Sequence, residues 1–66
     1  GAMIKGNTLH IRQQFPGLEI RFTRDGKTPT LSDEKYSTPV NIQSTDHIVV
    51  RVFDPNGRGG NSIKID

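Results

Sequence analysis

The 66-residue chain contains no cysteine and no tryptophan, and only one tyrosine and three phenylalanines. Without cysteine, no disulfide can brace it, no thiolate can hold a metal, and the redox compartment leaves no mark on the sequence. Without tryptophan, a carbohydrate surface built on flat ring faces has few platforms available. No run approaches the roughly 18 apolar residues that cross a bilayer as a helix, so membrane insertion is not expected. Charge of one sign is not in excess either. Nine Lys and Arg against seven Asp and Glu leave a net +2. The cations are spread evenly from Lys5 to Lys64 instead of gathering on one element, which argues against a nucleic-acid partner. Nor does any window carry a sustained helical period.

A chain this short makes one domain at most and buries only about 60% of its unfolded surface. Packing alone then supplies roughly 3–5 kcal/mol. The opening Gly1-Ala2-Met3 reads as an expression scar on a module excised from a longer protein. Residues 4–66 are expected to form the single domain.

What is present is alternation. In "TLHIRQ", Leu9 and Ile11 share one face and Thr8, His10 and Arg12 the other. In "LEIRFTR", Leu18, Ile20 and Phe22 oppose Glu19, Arg21 and Thr23. "HIVVRVF" sets Ile48, Val50 and Val52 against Val49, Arg51 and Phe53. "SIKI" turns Ile63 and Ile65 inward, and the shorter "PVNIQ" does the same with Val40 and Ile42. Period two is the signature of half-buried strands. Between them lie Pro16-Gly17, Asp25-Gly26, Asn56-Gly57 and Gly59-Gly60, residue pairs that supply tight turns. "LSDEKY" is the best helix candidate, one turn long and opened by Ser32 as N-cap, too short to stand alone. Short strands at regular spacing predict an all-β fold, a small antiparallel sandwich.

Residues that carry chemistry are present but dispersed. His10 and His47 sit in separate strands at outward positions, and a metal would need a third ligand beside them. The carboxylates lack the facing pair and deep cleft of a glycosidase, and Asp33-Glu34 read as solvated turn residues. Ser32, Ser37, Ser44 and Ser62 have no nucleophile-elbow context. "DPNGRGG" supports two readings. Asp54 and Asn56 with backbone carbonyls offer oxygens to Ca2+, although Arg58 stands where a further acid is needed. The plain reading is a hairpin loop turned at Asn56-Gly57 and relaxed by Gly59-Gly60. No helix follows these glycines, so they make no phosphate cradle. Phe53 lies in the outward register and is the expected exposed strand aromatic. With Asn56 and Arg58 it forms the candidate contact for a ligand or partner. No cofactor and no catalytic residue is expected in the chain.

Two stretches have a recognisable likeness. "IRFTRDGKTPTLSDEKYSTPV" resembles a pattern in which aromatic-Thr-x-Asp-Gly leads to Pro-Thr, then Tyr, then Pro and an aliphatic residue. "IVVRVFDPNGR" is similar to the second signature of the same family. Together they resemble the C-terminal domain of bacterial chitobiases and β-N-acetylhexosaminidases, the family 20 glycoside hydrolases. The likeness spans about Phe15 to Ile65. Phe22, Thr23, Asp25, Gly26, Pro29, Thr30, Tyr36 and Pro39 match the first motif, and Arg51, Phe53, Asp54, Gly57 and Arg58 the second. Lys27 stands where a small hydroxyl residue is common, Val49 where an outward polar one is usual, and Gly59-Gly60 loosen the last turn.

The resemblance implies an immunoglobulin- or fibronectin III-like β-sandwich. In those enzymes catalysis belongs to a separate barrel, so the module would be a non-catalytic accessory domain of a secreted, periplasmic or surface protein. Its expected partners are neighbouring domains of the same parent chain and, alternatively, a polysaccharide or a protein at the cell surface; alone it would be a monomer. On this reading the motif determines the fold. Asp25-Gly26 make a turn with Gly26 at positive φ. Pro29 keeps Thr28 extended, and Tyr36 plugs the core. Pro39 leads into the next strand, and Arg51 and Asp54 face each other as a surface pair.

Overall fold

The computed structural model describes residues 2–12 and 17–65. Seven strands follow one another: β1 Ala2–Lys5, β2 Thr8–Ile11, β3 Glu19–Thr23, β4 Glu34–Lys35, β5 Val40–Asn41, β6 Ile48–Phe53 and β7 Ile63–Ile65. They form two sheets, β1-β2-β5 and β4-β3-β6-β7, in which every ladder is antiparallel. The predicted Pro16-Gly17 turn lies partly outside the described residues, as does Phe15, where the family likeness begins.

The alternation becomes a core because inward residues of both sheets meet. Leu9 from the three-stranded sheet and Ile20, Phe22, Ile48 and Val50 from the four-stranded one are buried together with Ile42. Ile4, Ile11, Tyr36, Val40, Val52 and Ile65 pack around them. The predicted all-β sandwich is thus the observed architecture. β1 is an addition to the expected strands. Ala2 and Met3, set aside above as a scar, pair with Ile11 and His10. A two-residue turn at Gly6-Asn7 joins β1 to β2, with Gly6 at φ +63 and Asn7 at negative φ, the pattern of a type II′ hairpin.

Three expectations are corrected. "LSDEKY" is not a helical turn. The Asp33 carboxylate accepts from Thr30 N at 2.7 Å and from Thr30 Oγ1, and Glu34–Lys35 then pair with β3 as β4. A single helical turn, with its unfavourable nucleus, does not compete with a ready ladder. Ile63 does not point into the core. It is 60% exposed, because β7 is the edge of a four-stranded sheet that faces only three strands. Phe53 and Val49 are not outward-exposed. Both are buried, 4% and 3% accessible, on the face of the sheet away from the core.

Candidate functional site

The connection between β3 and β4 is anchored on the sheet face that carries Phe53 and Val49. After Thr23 the chain leaves the ladder: His47 N donates to Arg24 O, Gly26 N donates to His47 O, and Gly26 takes φ +83. Positive φ there is what a glycine tolerates at no steric cost. Asp25 Oδ1 accepts from Lys27 N at 3.3 Å, and Thr23 Oγ1 donates to Lys27 O at 2.6 Å. Residues 24–33 then run across the outer face of β3 and β6 as a strap. Pro29 within it is fully buried, and Thr23, Val49 and Phe53 on the face that it crosses are buried as well. The outer face therefore carries a small second core. Strand alternation alone cannot foresee it, because it depends on where a loop lies.

Two arginines hold the strap from below. Arg21 and Arg51 are direct cross-strand partners, a like-charge pairing that is unfavourable by itself. Each answers it by donating to a strap carbonyl: Arg21 Nη1 to Asp33 O at 2.9 Å and Arg51 Nη1 to Pro29 O at 3.2 Å. Arg21 also makes a two-donor bond to Glu19 Oε2, whose other oxygen lies 3.2 Å from Lys35 Nζ. The Arg21 hydrogen bond, then the one from Lys35, holds the Glu19 carboxyl below its ordinary range. Arg51 Nε donates to Gly60 O at 2.8 Å, and its guanidinium stacks 5.0 Å from the Phe53 ring centre. A Cβ on Gly59 would overlap that guanidinium. Gly59, expected only to relax a turn, makes room for the Arg51 side chain.

The expected Arg51–Asp54 pair does not form. Asp54 Oδ1 instead accepts from Asn56 N at 2.9 Å and from Arg58 N at 2.8 Å. Gly57 N donates to Asp54 O, and Asp54 N to Arg58 O. Asp at the first position, Pro55 at the second and Gly57 at the fourth is the residue order a type I turn favours. Backbone donors two and four residues on outcompete a guanidinium that is already occupied. They also engage the carboxylate that the Ca2+ reading requires. Among the described residues no three His, Cys, Asp or Glu gather to hold a metal. Of the candidate contact residues, Asn56 and Arg58 are exposed on this turn, while Phe53 is inside.

Tyr36 and Arg24 tie the two sheets together. Tyr36 N donates to Ile20 O, and its hydroxyl accepts from Ile11 N at 3.0 Å across the sandwich. The exposed Pro39 directly precedes β5. Arg24 stacks over the Phe22 ring and reaches Glu34 Oε2 at 2.8 Å, Asn41 O and Asp46 Oδ2. The Glu34 hydrogen bond is the largest influence and holds the guanidinium pKa above its usual value.

An open cleft of about 520 Å3 lies at one end of the sandwich. Its floor is Ile4, Ile42, Ile48 and Ile65, and its rim carries Asn7, Gln43, Ser44, His47 and Lys64. The turn with Asn56 and Arg58 follows β6, whereas the cleft lies where β6 begins, so the two are at opposite ends of that strand. None of the expected site residues other than Gly26 lines the cleft. His10 is half-buried on β2 and does not join His47 there.

The family model that matches residues 1–62 is described as the chitobiase/beta-hexosaminidase C-terminal domain. The chain belongs to this family. A chitobiase/beta-hexosaminidase C-terminal domain is by that description one part of a larger protein, and the curated relative is consistent with it. The chain is 34% identical over 65 residues to a beta-hexosaminidase of Vibrio vulnificus, an overlap that takes in 98% of this chain and 7% of that protein. No solved structure matches the domain significantly. The two motifs that carried the resemblance converge in this chitobiase-type domain. Thr23, Gly26 and Pro29 belong to the strap or its anchor, Arg51 and Phe53 lie under it, and Asp54 and Gly57 close the neighbouring turn.

Proposed function

We propose that the chain is a non-catalytic accessory domain of a bacterial glycoside hydrolase of the β-N-acetylhexosaminidase type. It packs on or spaces the catalytic domain of a secreted, periplasmic or surface-displayed parent. The observation that carries this reading is the match of residues 1–62 to a family described as a C-terminal domain. The 7% share of the hexosaminidase relative agrees with it. The carboxylates add support. Glycoside hydrolysis needs two that face each other and are free to exchange a proton or attack. Here Glu19, Glu34 and Asp46 are held by arginines, and Asp33 and Asp54 by backbone amides.

Sugar binding by ring stacking is the weaker reading. Phe22 and Phe53 are buried, and the half-buried Tyr36 has its hydroxyl engaged. Purified chain incubated with chitobiose and with a chromogenic N-acetylglucosaminide is expected to leave both intact. Deleting the domain from its parent is expected to lower thermal stability and leave kcat unchanged. Hydrolysis that scales with the concentration of the isolated chain refutes the proposal.

A further inference from the structure

We infer that the end cleft seats an acidic segment of a neighbouring domain of the same parent chain. The inference rests on the accessory-domain reading and deepens it by naming the face that docks and the chemistry that it accepts.

Three observations point there. First, the floor is unfinished core. Ile4 and Ile65 pack on the buried cluster yet stay only half-buried, so an apolar side chain entering the cleft would continue a packing surface already begun. Second, the rim is uncommitted. The side chains of Asn7, Gln43, Ser44 and Lys64 make no hydrogen bond or ion pair with the described residues. Third, the charge is lopsided. Asp46 is the carboxylate of this wall, and it is already bonded to Arg24 Nη1 and to Gln43 N. Lys64 has no acidic partner among the described residues. An aliphatic floor under a rim of amides, a hydroxyl and an unpaired ammonium group is complementary to a segment that presents one apolar side chain beside a carboxylate. The relative in which the matching region makes up 7% of the length shows how much chain such a domain has beside it.

The test compares amide hydrogen exchange in the isolated 66-residue chain and in the intact parent protein. Expected is slowing by about tenfold or more at residues 6–7, 43–47 and 64–65 in the parent, with the turn at residues 54–60 unchanged. Lys64→Glu or Ser44→Trp in the parent should return those amides to their rate in the isolated chain, while Arg58→Glu at the opposite end does not. Both cleft positions are exposed, and unchanged melting of the isolated variants verifies that they fold. Protection confined to another face overturns the cleft assignment and leaves the accessory reading standing. No protection anywhere overturns the docking inference and leaves spacing as the accessory role, which hydrolysis by the isolated chain would overturn separately. Saturable shifts of the cleft amides of the isolated chain with chitin oligomers overturn the inference in favour of a sugar site.

Discussion

Gly59→Ala should destabilise the domain, although the general rule says the opposite. Gly59 has no positive φ, so alanine fits its backbone. At such a position glycine to alanine ordinarily stabilises by about 0.4–1 kcal/mol, because the unfolded chain loses freedom. Here the new methyl would overlap the Arg51 guanidinium at its root, where Nε and Cζ are held, and not at a free end. Arg51 must then release Gly60 O and Pro29 O and slide off Phe53. Two hydrogen bonds at about 0.5–1.5 kcal/mol each and a partly exposed cation–π contact at about 0.5–1 kcal/mol set the scale. The net loss should be about 1–3 kcal/mol, a large share of the roughly 3–5 kcal/mol that packing supplies in a domain this small. Urea denaturation reads it as a lower midpoint with an unchanged slope. Gly60→Ala is the internal control, since a Cβ there meets only Val52 O at 3.8 Å. In an Arg51→Ala background the Gly59→Ala cost should largely vanish, as a double-mutant cycle requires of a contact. If Gly59→Ala and Gly60→Ala melt alike, Arg51 does not pin the strap as described.

Other perturbations probe the remaining supports. Gly26→Val should cost more than about 1 kcal/mol by urea midpoint. The nearest atom to a Cβ is His47 Cβ at 3.7 Å, so space is adequate and the cost is the positive φ itself. Tyr36→Phe removes the acceptor for Ile11 N and should cost about 1 kcal/mol. Amide exchange at Ile11 should accelerate more than at Leu9, and equal acceleration would point to general loosening. Glu19 has its carboxyl pKa depressed by Arg21 and Lys35, so its contribution is present above the ordinary carboxylate range and lost as the pH falls through the lowered value. Glu19→Gln should therefore flatten the acid limb of the stability profile, most visibly below the unperturbed 4.5, and leave the neutral region's shape unaltered.

Much of the fold follows from local chemistry that any window of sequence displays. Alternation marks β2, β3, β6 and β7 because a pleated strand sends neighbours to opposite sides whatever lies on each side. Asp54-Pro55-Asn56-Gly57 closes on itself through bonds spanning two to four residues, so its turn is written in the residue order. Gly6-Asn7 between two short runs carries the same kind of signal, so the β1–β2 hairpin is also local in origin. The two signatures sufficed to place the chain in its family.

Tertiary structure alone decided which of the two strand faces stay wet. Period two tells Phe53 from Val52 but not outside from inside once a loop folds back, and the strap gave the outer face of β3 and β6 a core of its own. The same fold-back turned Arg51 from a surface ion-pair candidate into a clamp between Pro29 and Gly60, residues 22 and 9 positions away. The fold also assembles the end cleft from four separate stretches of chain, within residues 4–7, at 26, within 42–49 and at 64–65. Such contacts depend on the path of the backbone through space, a quantity summed over the whole molecule that no short window of residue types contains.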